Sequence, residues 1–428
     1  MTKLIKKTYK RITDNPLHLF TQDDRLISPQ YDGLSILNIP ASIGEMLKVP
    51  GFSFPPLQPD LLDPVRGEIQ NVIVILVDAL GFHQLEKWLK EDKSIIWHSL
   101  LKQGVLAPIT SISPSTTCAA ITSLWTDSSA AKHGIMGYEM WLKEYGVSAN
   151  MIEHKPITYR GSGGNLSLAG FDPESFLPVG SITDQFSTGG VDVHAFQHYS
   201  IINSGLSRMF MKDANRHPIG TSSDLWIGIR ELIESHPETR KYIWAYWGNL
   251  DSISHLHGPE SERAKAELQT FSRAFEQYFL DELNPTFKKD TLIILTADHG
   301  QKTTDREDQH FNLSSHPAFT EMLHMLPTGE NRLAFLYIKP GKTEAVKEYI
   351  QAEWPEQFTL IDPEAAVNAG LFGPGEVHPG IYDRLGDLIA AARGNAFWWW
   401  ANKENPIIGR HGGLSEEEML VPFLAAKL

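Results

Sequence analysis

The sequence predicts an α/β protein built on a doubly wound, mostly parallel sheet, with insertions that cap its site. Three observations carry that expectation. Short runs of β-branched and other apolar residues recur, each with a helical pattern behind it. Their uniform apolarity is that of strands buried on both faces, as in parallel sheets. Aspartate and histidine gather just after the carboxyl ends of these runs, where open α/β sheets carry their sites.

Taken in order, the first sixty or so residues are proline-rich, with Pro55 beside Pro56, and are expected to form an irregular wrapping arm. Lys3, Lys6, Lys7, Lys10 and Arg11 read as a solvated stretch of that arm. Asn71–Val77 is a buried parallel strand, followed by Asp78 and a helical pattern over 79–90. Residues 242–247 form a second strand that runs into Asn249, Leu250 and Asp251, and 262–280 reads as a long helix. Thr291–Thr296 is a third strand, ending at Asp298-His299-Gly300. Residues 332–338 and 395–400 are further strand candidates. The latter includes Phe397-Trp398-Trp399-Trp400, either a strand with large side chains or an aromatic platform. Segments 138–237 and 302–406 hold few strand–helix units near the motifs. Parts of both are expected to cap a single catalytic domain covering 1–428.

The chain has 428 residues, 42% hydrophobic and 21% charged, a mixture that can bury a sizeable core. Its formal net charge of −14 counts against nucleic-acid polymers and anionic membranes as partners. It does not count against a small phosphorylated substrate, because bound metal ions reverse the local sign. The one cysteine, Cys118, allows no intramolecular disulfide, reads as a small core residue and fits a reducing compartment. No run is apolar enough to span a bilayer and none follows the basic N-terminal residues, so a cytoplasmic location is expected. Nothing in the sequence sets the oligomeric state.

Four segments each end a strand or open a helix with metal-type ligands: Asp78; Asp251 and His255; Asp298 and His299; and His411 in Gly409-Arg410-His411-Gly412-Gly413. Mixed carboxylate and imidazole sets suit two divalent ions, Zn²⁺ first and Mn²⁺ second. Asp78 alone could cap a helix, but a cluster of such residues is a site candidate. His257 reads as a supporting residue, and His133, His310 and His316 as packing or surface residues. Between the first two segments lies Ser113-Pro114-Ser115-Thr116-Thr117-Cys118, followed by a helical run. That puts Thr117 at a helix N-terminus, which favours anions, with Thr116 as the neighbouring alternative.

This order and spacing resemble the type I phosphodiesterase/nucleotide pyrophosphatase family of the alkaline phosphatase superfamily. The resemblance rests on Pro114 to Thr117, His133-Gly134-Ile135, Asp251 to His255 with Gly258-Pro259, Asp298-His299-Gly300 and His411-Gly412. It implies a metal-dependent hydrolase of phosphodiesters or nucleotide pyrophosphates, with Thr117 as nucleophile and a covalent phospho-threonine intermediate. One metal would be held by Asp251, His255 and His411; the other by Asp78, Asp298, His299 and the Thr117 oxygen. Phosphomonoesterase and phosphonate hydrolase activities are the alternatives within the superfamily. A non-catalytic metal-binding protein is the alternative outside it. Two positions depart from the pattern: Ala120 stands where Asn is usual, and Asp127 where Gly is usual. Asn249, Lys155 and Tyr159 are the candidates to complete the substrate pocket in place of that Asn.

Overall fold

The apolar runs become the middle of a seven-stranded sheet. The computed structural model describes residues 3–20, 26–158 and 163–428. In chain order, β1 is Asn71–Val77 and β2 is Gly104–Thr110. A short meander follows, with β3 at Glu139–Leu142, β4 at Val147–Asn150 and β5 at Lys155–Pro156. Next come β6 (Val191–His198), β7 (Asn215–Ile219), β8 (Arg240–Trp247), β9 (Thr291–Thr296) and β10 (Lys302–Thr303). Then β11 (Thr328–Glu330), β12 (Leu333–Leu336), β13 (Phe358–Ile361) and β14 (Leu388–Ala392) precede β15 (Gly409–Arg410) and β16 (Leu420–Lys427).

The central sheet has the order β2-β16-β9-β1-β8-β6-β7. All its pairings are parallel except those of β16, which runs antiparallel between β2 and β9. Every residue of β1 and β9 is buried, as their unbroken apolar sequences require of strands covered on both faces. β1, β8 and β9 lie side by side, with Val77 opposite Trp247 and Leu76 opposite Thr296. Their carboxyl ends therefore open at one level. The doubly wound, mostly parallel α/β fold is as expected.

A second seven-stranded sheet, in the order β13-β14-β12-β11-β3-β4-β5, draws its strands from both segments expected to cap the site. Segment 138–237 divides: β3 to β5 join the second sheet, and β6 and β7 join the central one. β10 pairs with β15 as a small separate ribbon.

Several local expectations are corrected. The region before residue 60 is not only an irregular arm, since it contains the helices Lys3–Thr13 and Ile39–Met46. Ile5, Thr8 and Ile12 lie on one buried face of the first, a spacing the basic residues mask. Lys7 and Arg11 are not simply solvated, because both ion-pair with Asp60, at 2.7 and 3.1 Å. Residues 395–400 are not a strand. Trp398 and Trp399 pack in a second core with Phe319, Trp354 and Phe358, and β14 takes the sheet position instead. Bulky apolar residues reported burial there, not strand geometry. The helix after β1 starts at Phe82, because Ala79 turns the chain with a φ of 64°. The helix Glu262–Phe275 runs on through a single wider turn to Leu280. No described helix is long and apolar enough to cross a membrane.

Candidate metal centre

Each group in the centre is delivered by the end of an element. β1 ends at Val77, and the Asp78 N–H donates to the Trp247 carbonyl at 3.0 Å. Ala79 then adopts the left-handed conformation, which costs an L-residue about 1 kcal/mol. Its N–H donates to Asp298 Oδ1 at 3.3 Å, so this turn ties the Asp78 and Asp298 loops together. β8 leads through Gly248 into the helix Asn249–His257, which carries Asp251 and His255. β9 leads to Asp298 and His299. His411 follows β15.

One cluster contains Asp78, Asp298 and His299, all buried. The His299 Nδ1–H donates to the Gly300 carbonyl at 3.0 Å, which leaves Nε2 as a lone-pair acceptor. Nε2 faces the Thr117 hydroxyl at 3.1 Å, and Asp78 Oδ1 and Asp298 Oδ2 at 3.5 Å each. Those two carboxylate oxygens are buried and have no hydrogen-bond partner. Unpaired buried carboxylate oxygens turned towards an imidazole lone pair are costly unless a cation lies between them. The donor set is one that Zn²⁺ or Mn²⁺ accepts. Burial, then the charges of Asp298 and Asp251, push the Asp78 carboxyl well above the usual carboxylate range. Tyr246 donates its hydroxyl to the other Asp78 oxygen.

The second cluster groups Asp251, His299 and His411. His255 lies against it, with Nε2 3.3 Å from Asp251 Oδ1. The His255 Nδ1–H donates to the Gly409 carbonyl at 2.7 Å, which again turns Nε2 inward as an acceptor. His411 Nε2 is 4.0 Å from the same Asp251 oxygen, and its ring stacks on His299 with centroids 3.9 Å apart. His299 thus stands within reach of both clusters, a sharing that spacing did not indicate. Burial, followed by the neighbouring His299 and His255, lowers the His411 pKa well below the usual histidine value, so its imidazole is neutral, as a metal ligand must be.

Of the two candidate threonines, Thr116 is the N-cap and Thr117 the first residue of the helix Thr117–Thr126. The Thr117 hydroxyl is the one that meets His299. The first backbone N–H groups of that helix have no acceptor one turn earlier, so they can meet an anion. Ala120 is fully buried in the same helix. Cys118 is buried, and burial pushes its thiol well above the usual range, away from a nucleophilic role.

The substrate-pocket candidates are not gathered in the same way. Asn249 is exposed at the start of its helix, two residues before Asp251. Lys155, in β5, ion-pairs with Glu153. Tyr159 lies outside the described residues. His257 accepts from Arg263 at the surface, and His133 is buried against Ser123. His310 and His316 pack around Trp354.

Sequence reasoning missed three neighbours. Tyr246 sits inside a strand read only as apolar. Gln301 donates to Asp251 Oδ1 at 2.6 Å, and its position beside Asp298-His299-Gly300 was the only available signal. Ser115 donates to the Gly413 carbonyl at 2.7 Å and ties the loop before Thr117 to the His411 loop.

Residues 72–414 match the family model described as type I phosphodiesterase/nucleotide pyrophosphatase. No curated protein matches the sequence. Among solved structures, murine ectonucleotide pyrophosphatase/phosphodiesterase 5 superposes with a TM-score of 0.63 at 16% identity, over 84% of this chain and 88% of that one. An inactive threonine-to-alanine variant of the murine protein, in complex with AMP, gives 0.62 at 16% identity, over 83% and 88%. Phosphonoacetate hydrolase from Sinorhizobium meliloti, in complex with phosphonoformate, gives 0.59 at 18% identity, over 84% and 90%.

Proposed function

Because the chain belongs to the type I phosphodiesterase/nucleotide pyrophosphatase family, and so is a hydrolase of phosphorus esters, we propose that it cleaves a phosphodiester or nucleotide pyrophosphate through a covalent phospho-threonine at Thr117. The carrying observation is the Thr117 hydroxyl at a helix N-terminus, 3.1 Å from an imidazole lone pair that also faces two unpartnered carboxylate oxygens. Asp78, Asp298, His299 and the Thr117 oxygen would hold one divalent ion; Asp251, His255 and His411 would hold the other, with His299 near both. When bound, these ions supply charge neutralisation around the phosphoryl group and a lowered pKa for the Thr117 hydroxyl.

Thr117 attacks phosphorus, forming the Oγ–P bond as the bond to the leaving oxygen breaks. Water then cleaves the Oγ–P bond and returns the hydroxyl. The helix N–H groups stabilise the phosphoryl oxygens in both displacements. His299 and His255 are fixed by their carbonyl partners, so their Nε2 atoms keep one aim throughout.

One observation favours a diester over a monoester. Among the described residues, the cations flanking the centre are committed elsewhere. Arg410 donates to Asn331 and Asn405, both at 2.6 Å, and its guanidinium stacks on Phe397. Arg332 pairs with Glu418, and Lys302 with Glu417. A singly charged diester needs less side-chain cation than a dianionic monoester. The complex of the S. meliloti neighbour with phosphonoformate keeps phosphonate hydrolysis as the second reading.

The test compares bis(p-nitrophenyl) phosphate with p-nitrophenyl phosphate, using the zinc- or manganese-loaded protein and Thr117→Ala. The expected result is faster diester turnover and a loss of at least about 1,000-fold in the variant. Faster monoester turnover moves the assignment to the phosphatases. Undiminished turnover in Thr117→Ala overturns the nucleophile.

A further inference from the structure

His411 differs from the other two histidines of the centre. His299 and His255 are each oriented by an Nδ1–H donated to a backbone carbonyl. His411 Nδ1 makes no comparably close hydrogen bond, and the one backbone group that reaches its ring belongs to Ser115, on a different loop. Its aim is set by the backbone that carries it, the tight loop 411–415 between β15 and the helical turn Glu416–Met419. In that loop Gly412 has a φ of 100°, and Ser115 bridges to it from the nucleophile segment.

The Glu418 side chain grips this loop. Its Oε1 accepts from the Gly413 N–H at 2.9 Å, and its Oε2 from the Ser415 N–H at 3.2 Å. Oε1 also accepts from Arg332 Nε at 2.8 Å. Both side chains of this ion pair are fully buried, at 0% exposure. Arg332 stands at the head of β12 in the second sheet and donates a further N–H to the Ala396 carbonyl. The backbone of the same glutamate reaches the other ligand loop, since its carbonyl accepts from the Gly300 N–H at 2.8 Å. Gly413 allows the approach: a Cβ there would lie 2.8 Å from Glu418 Oε2. A buried ion pair is a poor source of stability, because desolvation offsets its attraction. This one carries backbone hydrogen bonds on both sides of the metal centre.

We propose that Glu418, held by Arg332, is a positioning residue for metal binding, whose carboxylate fixes the His411 loop and so completes the Asp251/His255/His411 site. The proposal rests on the two-metal reading above. Its direction is specific. Removing the carboxylate releases the His411 side, while the Glu418 carbonyl still holds Gly300 and the Asp78/Asp298/His299 side.

Glu418→Gln tests it. The amide keeps one oxygen for Arg332 and Gly413 but turns an NH₂ towards the Ser415 N–H, where a donor meets a donor. Zinc binding to the metal-free chain would be followed by titration calorimetry and by competition with a chromophoric chelator, and the fold by thermal unfolding. The parent is expected to take two zinc ions. Glu418→Gln is expected to unfold cooperatively, keep one ion at parental affinity and bind the second about 10- to 100-fold more weakly. Two ions at parental affinity in Glu418→Gln overturn the proposal. Arg332→Lys keeps the charge without the second grip on Ala396, and is expected to weaken the same site by less. Should Glu418→Gln fail to fold, an unchanged second site in Arg332→Lys overturns the proposal. A parent that binds fewer than two ions overturns the two-metal reading and this inference with it. A two-zinc parent beside an unaffected variant removes the inference alone.

Discussion

Thr117 and Asp127 stand at opposite ends of one buried helix and lead to separate predictions. If Thr117 is the nucleophile, hydrolysis proceeds by two in-line displacements at phosphorus. A diester with a chiral phosphorothioate centre should then give product with retained configuration, read by phosphorus NMR; inversion would rule out the covalent route. Asp127 closes the helix in the left-handed conformation, at a φ of 47°, which explains why glycine suits the position. Its side chain accepts from the Ser53 N–H, yet burial raises its pKa to about 6. An unfolded aspartate titrates near 4, so the folded state binds the proton more tightly. The contribution is fully present below about pH 4 and is lost as pH rises through about 6, an effect of at most ~3 kcal/mol. Asp127→Asn, which tolerates the left-handed region, should therefore raise the melting temperature at pH 8 and have little effect at pH 4. An equal gain at both pH values would argue against this account. That Asp78, Asp251, Asp298, His299 and His411 would gather in one place was legible, because buried strands that end in Asp or His are unusual. Tyr246 and Gln301 were not, because their roles depend on which strands become neighbours.

The loop after β9 and the turn before β16 meet backbone to backbone. A Cβ at Gly300 would lie 2.1 Å from the Glu417 carbonyl oxygen, with no flexible side chain there to yield. Gly300→Ala must push these elements apart, and overpacking of this kind costs about 1–3 kcal/mol. It should lower the melting temperature and weaken zinc binding at the Asp78/Asp298/His299 side. A parental melting temperature and affinity would show that the loops move more freely than their contact implies. The same elements show what a sequence can convey. β1 and β9 were legible to the residue at both ends, since continuous apolar β-branched runs suit only strands covered on both faces. The stretch at Trp398 and Trp399 was not, because an aromatic run signals burial without saying which backbone hydrogen bonds it makes. The helix Lys3–Thr13 was obscured by its own lysines, whose stems can lie along apolar surface while their charges stay in water.

For the molecule as a whole, the centre links the central sheet to loops from both ends of the chain, so metal content and global stability should be coupled. Free zinc held about 100 to 1,000 times above its dissociation constant stabilises the native state by about 3–4 kcal/mol per filled site. Chelation should therefore lower the calorimetric unfolding temperature, reversibly on adding zinc back. An unfolding temperature indifferent to chelation would mean that the acidic cluster is held together by the scaffold alone. The doubly wound sheet was legible at this scale. The second sheet was not, because its short strands come from two distant segments and pair antiparallel throughout, which gives no run long enough to read. The position of β16 has a further consequence. It lies between β2 and β9, yet it follows every other strand of its sheet in the chain. While the protein is being synthesised, β2 has no strand partner and β9 keeps one edge open until β16 arrives, and His411 enters only just ahead of that strand. Translation order thus lets the candidate centre close only after the other strands of its sheet exist, and a nascent chain stalled before residue 420 would leave β2 unpaired and one edge of β9 open to any neighbour able to add a strand.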